Sequence, residues 1–309
     1  MRAFLLLSAM SLAFAGDVEV LRDEFGVPHI FARTAEDAMF ASGYLQAEDR
    51  LDELHINLRK ALGTMAEAFG ARDPQTNEDW LRHDWKQRMW EHARIARTRY
   101  PELPAKIRAL LESYVRGIES YKSQHPSESK PQHFRIEPWH IVAYGRYTVW
   151  RWHEGDAADD LRRGGIQPDP VPYRGSNQML IAPSRTAMKA PIAVIDPHLS
   201  WYGETRYYEM RIYGGKELAY SGGARLGLPF PTLGHSRHVS IAMTTGGPDT
   251  ADVYEEEVRD GKYKLRGEWK PLRIEQEKIG VLTNGRVEWK DYSFEYTHHG
   301  PIWAHHNGR

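Results

Sequence analysis

The stretch at 161–175 divides the chain into two halves of different periodicity, and this division most constrains the fold. Arg162-Arg163-Gly164-Gly165, followed by Pro168, Pro170 and Pro172, suits neither a helix nor a central strand and reads as an exposed, protease-accessible linker. Before it, Ala38, Ala41, Tyr44, Leu45, Leu51, Leu54 and Leu58 recur at helical spacing, which predicts a helix over 35–69. Thr34 is its expected N-cap, with Asp37 as the capping-box acid. Further helices are expected near 79–100, 103–123 and 139–152, punctuated by prolines. A strand, turn and strand precede them over 18–31, around Gly26-Val27-Pro28. After the linker the pattern is strand-like at 179–182, 192–195, 207–213, 239–243, 253–258, 274–282 and 287–296. Helices first and strands second indicate an α+β fold.

Composition excludes several function classes. Lys plus Arg (41) balance Asp plus Glu (42), so no overall field favours nucleic acid or an anionic membrane. With no cysteine, disulfides, thiol nucleophiles and thiolate zinc sites are ruled out. No Gly-rich phosphate loop is present. The 10 Trp and 16 Tyr suit a large core and an aromatic-walled pocket. At the N-terminus, Arg2, the apolar run over 3–12 and Ala13-Phe14-Ala15 read as a secretory signal cleaved before Gly16. No later segment approaches the ~20 apolar residues of a membrane span. A periplasmic or secreted protein without a membrane anchor is expected.

The most informative site is Arg174-Gly175-Ser176-Asn177, at the junction of linker and strand. Ser176 there could attack the Gly175 carbonyl in an N→O acyl shift, because glycine opposes neither the backbone distortion nor the approach. Its freed α-amine, with a reference pKa of about 7.7–8.0, could then serve as the base for its own hydroxyl. Taken alone, Gly-Ser-Asn is also a common turn tripeptide.

Context makes the site specific. Arg22-Asp23-Glu24-Phe25-Gly26-Val27-Pro28-His29-Ile30 resembles the opening of a penicillin acylase α-chain. Gly43-Tyr44-Leu45-Gln46-Ala47-Glu48-Asp49-Arg50-Leu51 is similar to the helix that follows it. Gly175-Ser176-Asn177, then Ser184-Arg185-Thr186-Ala187, resembles the start of the β-chain. Asp196-Pro197-His198-Leu199, Gly234-His235-Ser236-Arg237, the run from Thr244 to Asp252, and His298-His299-Gly300-Pro301 continue the family's order.

The resemblance implies an N-terminal-nucleophile (Ntn) hydrolase: two stacked antiparallel sheets between helical layers, αββα, with a helical α-chain part. It implies a signal at 1–15, an α-chain region at 16–160, a spacer at 161–175 removed on processing, and the beginning of the β-chain at 176–309. Ser176 would be the nucleophile for both self-cleavage after Gly175 and catalysis. His198 would hydrogen-bond the nucleophile's amine, as in acylases for aliphatic or cephalosporin-like acyl groups; without the resemblance it reads as an ordinary loop histidine. The Thr245 backbone N–H would form half of the oxyanion hole. Asp160, Asp249, Asp252 and the Ala251 carbonyl would hold a structural Ca²⁺, with no organic cofactor. The substrate would be a small N-acyl amide of the penicillin, cephalosporin, acyl-homoserine lactone or lipopeptide kind, and the partners the molecule's own α- and β-chains. The family's second oxyanion donor lies beyond Arg309, so the chain reads as a C-terminally truncated member. Two alternatives are a truncated, non-catalytic periplasmic binding protein of the same fold and a His-rich metal hydrolase. The latter is suggested by the pairs His298-His299 and His305-His306 among 15 histidines, although no HExxH spacing accompanies them.

Overall fold

The computed structural model describes residues 18–168, 175–244 and 248–305, together with the backbone of a short strand, β1 (Ser8–Ala9). β1 falls inside the expected signal, whose remainder lies outside the described residues, as does most of the final proline-rich part of the linker. In chain order there follow β2 (Val18–Arg22), β3 (Pro28–Ala32), α1 (Ala35–Leu62), α2 (Met65–Phe69), α3 (Trp80–Met89), α4 (His92–Arg99), α5 (Ala105–Gln124) and α6 (Pro138–Arg163). The second half supplies β4 (Gly175–Ile181), β5 (Ile192–His198), β6 (Tyr207–Gly214), β7 (Leu218–Arg225), β8 (Leu233–Ser236), β9 (Ser240–Ile241) and β10 (Val258–Arg259). It closes with β11 (Lys262–Leu265), β12 (Glu268–Pro271), β13 (Arg273–Thr283) and β14 (Arg286–Tyr296). The fold is α+β: after the N-terminal strands β1 to β3 come helices α1 to α6, and the remaining strands follow them. No helix among the described residues is long and apolar enough to cross a membrane.

The chain divides into two compact units, and each draws on both halves of the sequence. The first comprises the chain up to Leu58, Thr98–Tyr144 and Tyr173–Gly246. Its sheet has the order β1-β2-β3-β6-β7-β8-β9, antiparallel except where β3 runs parallel to β6. The turn between β2 and β3 forms because Asp23 Oδ1 accepts the Phe25 and Val27 N–H groups while Gly26 takes a positive φ. Thr34 caps α1 as expected: its hydroxyl accepts the Asp37 N–H at 3.0 Å and donates to the Asp37 carboxylate. The apolar stripe of α1 is fully enclosed at Ala38, Ala41, Leu45, Leu54 and Leu58, each large side chain contributing about 1.5–3 kcal/mol. α5 approaches α1 closely because a glycine of each helix faces the backbone of the other. A Cβ on Gly43 would stand 2.0 Å from the Tyr114 carbonyl oxygen, and one on Gly117 2.0 Å from that of Phe40. The polar side chains of α1 in this core are also partnered. Buried Gln46 accepts from Tyr114 Oη and the Gly227 N–H and donates to the Leu228 carbonyl, while Asn57 donates to the Leu226 carbonyl. These bonds pin the loop after β7.

The second unit comprises Arg59–Arg97, Gly145–Pro172 and Gly247–Arg309. The β13–β14 hairpin turns at Asn284-Gly285, both with positive φ, the conformation that matches the twist of paired strands. Its Phe294 and Tyr296 pack with Met89 and Trp90, flanked by Trp85, Trp150 and Trp303, and Tyr296 Oη donates to the Met89 carbonyl at 2.9 Å. The buried Asp84 carboxylate accepts the Met65 and Ala66 N–H groups at 3.0 and 2.7 Å. It thereby does at a distance what Thr64, the residue before α2, does not do with its side chain.

Several element boundaries differ from expectation. The helix expected over 35–69 stops at Leu62, where Gly63 turns left-handed, and α1 itself is kinked at Arg50. The helix expected over 79–100 is two, broken where Glu91 takes a positive φ. α6 continues to Arg163, into the stretch read as linker. Of the strand expected over 253–258 only Val258 is paired, and 239–243 shrinks to β9.

Candidate active site

β4 and β5 form an antiparallel hairpin that aligns Gly175 with His198, Ser176 with Pro197 and Asn177 with Asp196. Directly paired residues share a face, so Ser176 and Pro197 lie on one side, Asn177, Asp196 and His198 on the other. The half-buried Ser176 hydroxyl donates to the carbonyl oxygen of Gly175 at 2.5 Å, against the peptide unit it would have to attack. Thr244 Oγ1 donates to the Ser176 carbonyl at 2.8 Å and so holds the strand's second residue from a second segment. Thr245 itself lies outside the described residues.

His198 is brought to Gly175 in register, but its ring engages Asp196 Oδ2 at 2.9 Å and Asn177 Nδ2 at 3.2 Å, both through Nε2. In the tautomer that carries its hydrogen on Nε2 the ring donates to Asp196, and in the other tautomer Nε2 accepts from Asn177. Among the described residues the His198 ring makes no hydrogen bond to the Ser176 hydroxyl.

A cavity of about 930 Å³ opens beside this hairpin. Pro197, the register partner of Ser176, is part of its wall, along with Leu199, Trp201 and Tyr202 from the segment after β5. Phe25 and Val27 from the β2–β3 turn also line it, and Trp201 is 81% and Phe25 82% exposed. The charged part of the wall is a network that sequence reasoning did not assign. Arg22 donates to Glu48 at 2.8 Å and to both oxygens of Asp49 at 3.0 Å, and Tyr208 Oη donates to Asp49 at 2.6 Å. Burial opposes the charge on Arg22, but the hydrogen bonds and charge of Asp49, with Glu48, outweigh it and raise its pKa. Burial, followed by the Asp49 charge, pushes Tyr208 well above its usual value, so the phenol stays a donor. Arg206 is held by the Glu53 carboxylate at 2.6 and 2.7 Å and lies over the Tyr202 ring. Arg22 and Glu48-Asp49 belong to two of the sequence blocks singled out above, and their separation in sequence hid the pairing.

The residues expected to hold calcium all fall in the second unit. Asp160 Oδ2 accepts the Val253 N–H at 3.1 Å while Oδ1 accepts from Arg163 at 2.8 Å. One turn earlier on α6, Asp156 accepts the N–H and hydroxyl of Thr250. α6 therefore grips the segment bearing Asp249, Ala251 and Asp252. The carboxylates of Asp249 and Asp252 are exposed, and no three carboxylates converge there among the described residues. Carboxylate and carbonyl oxygens are the donors a hard cation prefers.

Comparison with known proteins adds the following. Residues 17–308 match the penicillin amidase family. Penicillin acylase 2 proenzyme of Pseudomonas sp. (strain SE83) is 26% identical over 355 residues, covering 93% of this chain and 43% of that protein. Acyl-homoserine lactone acylase PvdQ of Pseudomonas fluorescens (strain Pf0-1) is 25% identical over 335 residues, covering 97% and 43%. The chain thus spans less than half the length of these curated relatives. Among solved structures, thermostable penicillin G acylase from Alcaligenes faecalis is similar at 19% identity and a TM-score of 0.37, over 52% of this chain and 99% of that one.

Proposed function

This chain belongs to the penicillin amidase family, and from that premise we propose that it acts as an exported N-acyl amidohydrolase with Ser176 as nucleophile. The observation that carries the reading is the Ser176 hydroxyl, 2.5 Å from the carbonyl oxygen of a preceding glycine at the head of a strand. In the maturation step the Ser176 Oγ attacks the Gly175 carbonyl carbon and the Gly175–Ser176 C–N bond breaks, leaving an ester and a free α-amine. Water then hydrolyses the ester. The freed amine, with a reference pKa of about 7.7–8.0, takes the proton from the Ser176 hydroxyl in each turnover. The acyl group passes from the substrate amide to Oγ, the C–N bond breaks, and the amine leaves with the proton the α-amine had taken. Water then cleaves the ester, releasing the acid and restoring the hydroxyl. The Thr245 N–H is the proposed donor to the tetrahedral oxyanion. His198, in register with Gly175, is proposed to orient the new amine once the bond beside it is cut.

Relatives named penicillin acylase and acyl-homoserine lactone acylase support the reaction class. The apolar wall of Leu199, Trp201, Tyr202 and Phe25 favours an aliphatic or aromatic acyl group over a charged one. Export rests on the N-terminal signal pattern, removal of which would take β1 with it. A Ca²⁺ ion held by Asp160, Asp249, Asp252 and the Ala251 carbonyl would fasten the loop after β9 to α6. Added calcium should raise the melting temperature, and Asp160→Asn should remove the increment; a melt indifferent to calcium refutes the site.

Intact-mass analysis and N-terminal sequencing of the purified protein test the nucleophile. A fragment beginning Ser176-Asn177 is expected, with Ser176→Ala both uncut and without amidase activity, since one hydroxyl serves both reactions. Cutting that persists in Ser176→Ala would assign cleavage to an outside protease, and a folded, uncut wild type without activity would leave a binding protein.

A further inference from the structure

We propose that Glu256, His298 and His299 form a binding site for a first-row divalent cation, zinc foremost, built from residues that neither the proposed acyl transfer nor the proposed calcium site uses. Their ligand atoms lie within 4.8 Å of one another. Around tetrahedral zinc, with donors at about 2.0–2.2 Å, neighbouring ligand atoms stand about 3.4 Å apart, so small side-chain rotations close the site.

Backbone geometry explains why two consecutive histidines point the same way, which an extended strand would forbid. After β14 the chain folds back: Tyr296 bridges to Pro301, the Thr297 N–H donates to the Gly300 carbonyl at 2.9 Å, and Gly300 takes a φ of +151°. The Thr297 hydroxyl also accepts the His299 N–H. In this turn the two imidazole centroids are 3.7 Å apart. Each ring is backed by a tyrosine, Tyr254 stacked on His299 at 3.7 Å and Tyr263 parallel to His298 at 5.6 Å. Such backing fixes ring orientation ahead of any ligand. The third donor, Glu256, is 15% exposed and meets His299 Nδ1 at 2.8 Å, a contact in which a cation takes the place of the bridging proton.

Two imidazole nitrogens and one carboxylate match zinc with an open fourth position, whereas calcium and magnesium favour all-oxygen sets. An ion here joins the 254–256 segment to the turn at 297–300 and stabilises the end of β14.

The test uses untagged full-length protein, stripped with chelator and dialysed, titrated with zinc chloride by calorimetry and followed by thermal melting. A single saturable site is expected, with a rise in melting temperature and no displacement by excess calcium. Glu256→Gln and His298→Ala, each checked for a native circular dichroism spectrum, should weaken binding at least about tenfold. His305→Ala, altering a histidine paired with Glu295, should leave it unchanged. The proposal is overturned if zinc binds no tighter than millimolar, or if Glu256→Gln binds zinc as the wild type does; the conservative variant decides the matter even where His298→Ala fails to fold.

Discussion

His92 is ringed by aromatic edges, Tyr147 at 6.0 Å and Trp150 at 6.2 Å, and neither of its buried ring nitrogens has a hydrogen-bond partner among the described residues. Burial, aided by the charges of Arg146 and His83, lowers its pKa from 6.5 to about 3, so the folded protein holds it neutral. Between pH 6.5 and 3 the unfolded chain therefore takes up a proton that the folded chain refuses, and stability falls as pH falls through that window. The slope from this one group reaches at most about 1.4 kcal/mol per pH unit. His92→Phe should move the midpoint of acid unfolding, read by circular dichroism, to lower pH; an unmoved midpoint would mean that other groups govern acid sensitivity. At this scale the sequence was informative where a contact is local, as between the Ser176 hydroxyl and the carbonyl of Gly175, its neighbour in the chain. It was silent about the bonds Arg22 makes to Glu48 and Asp49, and about Asp156, because these partners meet only after β2, α1 and α6 have taken their places.

Among elements, α2 depends most on a residue outside itself. A five-residue helix has little intrinsic stability, and its first two N–H groups are satisfied by the buried Asp84 carboxylate from α3. Asp84→Ala leaves both donors buried without an acceptor and should cost about 3 kcal/mol, measurable by urea denaturation. A loss under about 1 kcal/mol would show that water enters and replaces the carboxylate. The elements legible in advance were those with clean periodicity, such as α1 with its Thr34 cap and the long strands β13 and β14. β7 carries no strand signal of its own, because Ser221-Gly222-Gly223 has the composition of a turn. In the fold Gly222 is required for close packing, since a Cβ there would stand 1.9 Å from the Leu233 carbonyl oxygen on β8. The strand expected over 253–258 failed for the opposite reason: Asp160 takes the Val253 N–H that a ladder would have used.

On the scale of the whole molecule, both compact units are assembled from segments on either side of Gly175–Ser176. Cleavage there, as proposed, divides the chain without dividing either core. The two products should co-elute on size exclusion under native conditions and separate only in denaturant; native separation would contradict the interleaving. The switch from helices to strands was visible in the sequence because periodicity is a local property. The interleaving was not, because no local pattern says which distant segments share a core. One pairing within it also sets a timetable. β3 has β6 as its parallel neighbour, His29 lying opposite Arg211, so one edge of the N-terminal hairpin has no permanent occupant until β6 has been synthesised. Such non-local closure folds slowly. If the chain is exported as proposed, that delay is an advantage: a hairpin still lacking its neighbour leaves the sheet open for threading through a channel.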